Sequence, residues 1–163
     1  METRGFTLLE LSVGLALVAV LASLAVPSFR SSLRTAAVRA ATYELMAGLQ
    51  QTRGTAIVES QAGVLCLADT AGICRPSGGP APAWRVFLEN GSGARTLFTR
   101  TLPRDVTVRG SRARIRFSPR ALAASAATLT ICDSQGVAAP RAIVVSQNAR
   151  ARLAAASDAE CRA

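Results

Sequence analysis

Three hydrophobic textures follow one another along the chain. From Phe6 to Val26 the sequence FTLLELSVGLALVAVLASLAV is aliphatic nearly throughout. It is as long as the ~20 residues a helix needs to cross the hydrocarbon core of a bilayer. A periodic stretch follows, in which Ala37, Ala41, Leu45 and Leu49 recur every four residues with Val38 and Met46 beside them. That spacing gives a helix one apolar face, able to lie on a sheet, with Arg30, Arg34, Arg39 and Arg53 mostly off it. Together the two stretches predict a single helix from Phe6 to Val58, spanning ~80 Å at 1.5 Å per residue. Pro27 is expected to bend or locally loosen it, because proline lacks an N–H and clashes with the preceding turn.

After Ser60 the apolar runs become short and turn residues separate them. Strands are predicted at Val64–Ala68, Trp84–Glu89, Arg95–Arg100, Val106–Arg109, Ala113–Ser118, Ala127–Cys132, Ala142–Ser146 and Arg150–Leu153. RPSGGPAPA, residues 75–83, reads as a flexible loop, and ENGSGA as a hairpin turn. A long helix followed by strands, without alternation, predicts an α+β fold with an antiparallel sheet. No internal repeat, heptad array or glycine-rich phosphate loop interrupts this order. At 163 residues the chain holds one domain plus an appendage. Its expected divisions are a leader at 1–5, a transmembrane helix at 6–27, an amphipathic helix at 28–58 and a β-sheet domain at 59–163.

Charge changes this picture in two places. Glu10 lies inside the apolar run, where a carboxylate costs about 3 kcal/mol or more and therefore needs a partner. Elsewhere, all 19 basic residues are Arg against 10 acids, with no His, for a formal net charge of +9. Arg is protonated at any physiological pH and binds phosphate bidentately, so the excess suits a polyanion; a coding bias toward Arg would give the same count. The lack of His removes the commonest general base and metal ligand. With no Lys either, no Ser, Asp or Cys has an evident activating base, and an enzyme is not expected.

Four cysteines, Cys66, Cys74, Cys132 and Cys161, allow three pairings. Neither C-x2-C pair of a zinc site is present, and a membrane segment upstream points to export, so two disulfides are expected and no metal or cofactor. One arrangement closes a short loop between Cys66 and Cys74 and staples the tail through Cys132 and Cys161.

The N-terminal stretch Gly5-Phe6-Thr7-Leu8-Leu9-Glu10 resembles the prepilin peptidase motif of type IV pilins and type II secretion pseudopilins. The resemblance implies cleavage between Gly5 and Phe6, N-methylation of Phe6, and a role for Glu10 in assembly. It gives the buried carboxylate its reason: the amine created at Phe6 is a cation that Glu10 of a neighbouring subunit can neutralise in a low-dielectric setting. Loss of the leader removes Glu2 and Arg4 and leaves the net charge unchanged. A second stretch, LTICDSQGVAAPRAIVVSQNARAR, resembles the C-terminal signature of the GspH/FimT group of minor pilins and pseudopilins, where a Cys-Asp-x-x-Gly hairpin leads to an apolar strand and a Gly-Arg-x-Arg element. Here Ala149 stands where that group has Gly. A positive φ at that position would strain Ala, unless Asn148 takes the turn.

In the FimT members of that group the Arg-x-Arg element contributes to DNA binding, which carries over to Arg150 and Arg152. A second set lies in VRGSRARIRFSPR, where Arg112, Arg114 and Arg116 alternate on one face of a predicted strand; Arg141 lies near the tail. The stripe reads either as a track for the phosphates of double-stranded DNA or as an ordinary solvated sheet face. With one Trp and one Tyr, base stacking is not expected, and three phosphate contacts would give a salt slope of roughly −2.7. Trp84 and Phe87 read as core or core rim rather than a ligand platform, and Asp133 as a partner for Arg141 across the hairpin. The resemblance thus implies a FimT-like minor pilin, anchored by a single pass in a bacterial inner membrane with its domain in the periplasm, then part of an extracellular pilus. Its expected partners are prepilin peptidase, other pilin subunits and DNA taken up in transformation. The alternatives are a GspH-like structural pseudopilin and a priming or adhesive pilin without DNA affinity.

Overall fold

The structure, a computed structural model, describes residues 7–91, 93–119 and 123–162, without the side chains of 24–27. Helix α1 (Leu8–Val58) runs continuously through residue 27, where the sequence predicted a bend or loosening. Thr7 caps it: its hydroxyl accepts from the Glu10 N–H, and the Glu10 carboxylate accepts from the Thr7 N–H, a capping box. Eight strands follow: β1 (Ala62–Ala68), β2 (Ala83–Asn90), β3 (Gly93–Thr101), β4 (Val106–Gly110), β5 (Arg114–Phe117), β6 (Ala127–Asp133), β7 (Arg141–Val145) and β8 (Ala151–Ala155). A short helix α2 (Asp158–Arg162), not anticipated from the sequence, ends the described chain.

The strands form two four-stranded antiparallel sheets, in the orders β3-β2-β1-β5 and β4-β6-β7-β8. Alternation turns Leu65, Leu67, Trp84, Ile115 and Phe117 of the first sheet, and Val108, Leu129, Ile131, Ile143 and Val145 of the second, into one core. Val38, Ala41, Leu45 and Leu49 of α1 close it, with Ala37 and Met46 partly buried beside them, the face their spacing of three and four residues predicts. Trp84 lies directly on the helix at Gly48, where a Cβ would come within 2.3 Å of the indole ring; only glycine permits that approach. Phe98 meets the indole edge-on, with ring centroids 5.6 Å apart. Phe87 belongs to a separate cluster on the opposite face of the first sheet, with Val64, Cys66 and Cys74.

Two disulfides, Cys66–Cys74 and Cys132–Cys161, hold the short loop and the tail. The second ties α2 to β6, assisted by the Thr130 hydroxyl donating to Glu160 at 3.0 Å. The segment 75–83 is not the flexible loop its Gly and Pro content suggested. Ala81 exchanges two backbone hydrogen bonds with Val108, at 2.8 and 3.0 Å, and is fully buried. The Gly110 N–H donates to the Gly78 carbonyl at 2.8 Å, so composition described the turn residues but not the strand they pair with.

The expected ion pair between Asp133 and Arg141 is also corrected. Arg141 stands opposite Ile131, two residues from Asp133, and the Asp133 carboxylate turns inward instead. There it accepts from Arg34 of α1 at 3.0 Å and from the N–H groups of Gln135, Val137 and Ala138 at 3.3, 2.9 and 3.0 Å. Burial alone would raise its pKa. The N–H bonds from Ala138, Gln135 and Val137 and the Arg34 guanidinium outweigh that and hold the carboxyl below the usual carboxylate range. Arg34 also lies 3.7 Å from Asp105, so one helix cation clamps two turns of the second sheet.

Candidate functional site

Two surfaces are built for contact. The first is the front of α1, whose described side chains from residue 7 to 23 are all exposed, although the span has the length and hydropathy of a membrane crossing. Leu8, Leu9, Leu17 and Val18 point to different sides of the helix and are each at least 60% exposed. Such a surface is stable only in hydrocarbon or against other apolar helices. Glu10 stands in it, its Oε2 accepting from the Thr7 N–H and hydroxyl. Gly5 and Phe6, the expected cleavage and methylation positions, lie outside the described residues.

The second surface is made by arginines. Ser146 and Arg150 close a tight turn between β7 and β8: the Ser146 N–H donates to the Arg150 carbonyl at 2.9 Å, and the Arg150 N–H donates to the Ser146 hydroxyl at 3.3 Å. The turn needs a left-handed residue, and Ala149 supplies it at φ +58°, rather than Asn148. Beyond this turn Arg150 and Arg152 line a cleft of about 370 Å³ between α1, the end of β5 and the start of β8. Leu49, Phe117, Ala149 and Ala151 form its apolar lining, Gln50 and Arg53 its helix side. No acid lines it.

Other arginines are used differently. Arg116 reaches Glu89 at 2.9 Å, Arg95 reaches Glu59 at 3.1 Å and Arg100 reaches Glu44 at 3.5 Å. Arg114 and Arg116 share the outer face of β5, opposite Cys66 and Val64, whereas Arg112 lies in the bend before the strand and does not complete the stripe. None of these three, nor Arg141 at the start of β7, lines the cleft. Sequence reasoning missed Arg53, which it placed only as a residue off the apolar helix face. Its separation from Arg150 in the chain left no local signal of their meeting.

A family model described as type II transport protein GspH matches residues 41–149. The chain belongs to the GspH family. A second, described as the prokaryotic N-terminal methylation motif, matches residues 2–26. The apolar helix and these two matches make this GspH-family chain a minor pilin or pseudopilin, processed by prepilin peptidase and anchored in the inner membrane before it joins other pilins in a filament. Two crystal structures of the type IV minor pilin FimU from Pseudomonas aeruginosa PAO1 share its fold, with TM-scores of 0.55 and 0.54 at 19% identity. They cover 71% and 72% of this chain, and 91% and 87% of the FimU chains. No curated protein matches the chain.

Proposed function

We propose that this minor pilin binds double-stranded DNA without sequence preference, through phosphates held at Arg150 and Arg152, and so serves DNA uptake from the filament surface. The observation that carries the reading is the acid-free cleft at the β7–β8 turn, where two arginines are presented by a hydrogen-bonded turn. A guanidinium without a carboxylate partner keeps its charge and its donor fork for an outside anion. In this arrangement the domain faces the periplasm before assembly, the cut falls between Gly5 and Phe6, and Phe6 is methylated. Glu10 Oε1, which has no hydrogen-bond partner among the described residues, then receives the Phe6 amine of a neighbouring subunit.

The test is fluorescence anisotropy of a short duplex with the full-length mature protein in detergent micelles. Each phosphate contact is worth roughly eightfold in affinity at 0.1 M salt, from a slope of about 0.9 per contact. Arg150→Ala with Arg152→Ala should therefore flatten the log–log salt slope by about 1.8. No binding, or binding unaltered in the double variant, defeats the proposal. The second reading, a structural pseudopilin of type II secretion, is favoured by the description of the matching family model. It requires the same arginines to face acidic surfaces of other subunits. Mass spectrometry tests the processing independently: a mature N-terminus other than methylated Phe6 contradicts it.

A further inference from the structure

We infer that the cleft at the β7–β8 turn is a pocket for one internal phosphodiester of a DNA strand, with Arg53 of α1 as its third and least exposed cation; this rests on the DNA-binding reading. Arg53 is only partly exposed, whereas Arg150 and Arg152 are exposed. Its Nε is buried and has no hydrogen-bond partner among the described residues. A buried N–H donor without an acceptor is costly and marks a place where an acceptor is due. The residues around it supply donors in excess: three guanidinium groups and the Gln50 amide, with no carboxylate among them.

The three cations come from two separate elements, α1 and the turn entering β8, so they approach a common centre from different directions. A tetrahedral phosphate offers oxygens in several directions and can take more than one fork, whereas a carboxylate is satisfied by a single fork in its plane. The apolar lining from Leu49, Phe117, Ala149 and Ala151 keeps water from part of the anion and strengthens each contact. A lipid headgroup does not fit the position. Arg53 is 27 residues beyond Val26, where the apolar run ends, about 40 Å along the helix from the membrane face.

Two measurements on the full-length protein in micelles test this. In the first, Arg53→Gln is compared with Arg39→Gln, which removes the same charge from an exposed part of α1 outside the cleft. Arg53→Gln should weaken binding of a short duplex about eightfold at 0.1 M salt and flatten the slope by about 0.9, while Arg39→Gln leaves the slope unchanged. Equal effects from the two overturn the pocket. A duplex without 5′ phosphates should bind as well as a phosphorylated one, and dependence on the end phosphate overturns the internal assignment. In the second, inorganic phosphate is titrated while the arginine Nε–Hε resonances are followed. The Arg53 signal should move to saturation with phosphate and not with acetate at equal ionic strength; an unmoved signal overturns the inference. Duplex binding that depends on Arg150 and Arg152 but not on Arg53 removes this inference alone. A wild-type chain that answers to phosphate but binds no duplex removes the DNA reading and the diester assignment with it.

Discussion

The chain carries two Arg-x-Arg elements on strands, and they have opposite surroundings. In β5, Arg116 lies against Glu89 at 2.9 Å and crosses Val64 of the neighbouring strand. At the start of β8, Arg150 and Arg152 line a cleft with no acid among its described residues. Alternation puts both pairs on one face of a strand, and alternation alone does not distinguish them. What separates them is the residue brought alongside by the fold: Glu89 is placed by the β1–β2 hairpin, and Arg53 by α1. Arg34, Arg95, Arg100 and Arg116, which face carboxylates within the fold, therefore form one class, and the arginines of the cleft, whose charge is left for a ligand, form a second.

The largest expected effect tests the first class at its most buried member. Asp133, with a side chain 2% exposed, holds Arg34 and three N–H groups, and Asp133→Ala leaves the N–H groups without their acceptor and Arg34 with only the more distant Asp105. The expected loss is about 3 kcal/mol, at the lower end for a buried pair because Arg34 is a third exposed. Trp84, the single Trp and fully buried, reports the transition by its fluorescence. The pH dependence has a definite sign. Since the carboxyl titrates lower in the folded state, its contribution is complete above its unfolded value of about 3.9 and disappears as the pH falls through the folded value. Acid unfolding should therefore lose part of its steepness below pH 4 in Asp133→Ala, and an unchanged acid limb would remove Arg34–Asp133 from the first class.

Next in size is the second class. Arg150→Ala with Arg152→Ala should lower duplex affinity roughly 60-fold at 0.1 M salt, the product of two phosphate contacts. Because both side chains are exposed and neither has an ion pair among the described residues, stability should change by no more than about 0.5 kcal/mol. A large loss of stability would show that these arginines also hold the fold, and the division would fail.

Much of this architecture was legible in the pattern of residues. The apolar face Val38, Ala41, Leu45 and Leu49 is buried as its period requires, and every predicted strand appears with ends displaced by at most two residues. Those features depend on near neighbours in the chain. The failures share the opposite property. Asp133 pairs with a helix residue 99 positions away rather than with the nearby Arg141, and the segment 75–83 is pinned by β4, which follows it only after two intervening strands. Arg53 was passed over because nothing near it in sequence says that it will meet the β7–β8 turn. Local pattern fixes which face a side chain is on, and long-range packing decides what it faces.

A smaller effect is expected at the boundary between the classes. Glu89→Gln removes the acid that Arg116 faces, on a surface where both partners are more than a third exposed. The pair should contribute less than about 1 kcal/mol, read from the Trp84 transition. Duplex affinity should stay the same, because Arg116 does not line the cleft even when its charge is released. A gain in affinity would place β5 on the path of the DNA and merge the two elements into one surface.

The smallest effect concerns the turn that presents the second element. Ala149 is held at φ +58°, a region that costs an L-residue with a Cβ about 1–2 kcal/mol and glycine almost nothing. Its methyl group is also buried in the core, and losing a buried carbon of that size costs about 0.8 kcal/mol. The two terms oppose each other, so Ala149→Gly should stabilise the domain by no more than about 1 kcal/mol. The binding outcome separates two uses of the strain. If the hydrogen bonds between Ser146 and Arg150 fix the turn by themselves, glycine relaxes the backbone and duplex affinity holds within twofold. A clear loss of affinity with a gain in stability would mean that the alanine restricts Arg150 to its place in the cleft, making the left-handed residue part of the binding element rather than a tolerated departure.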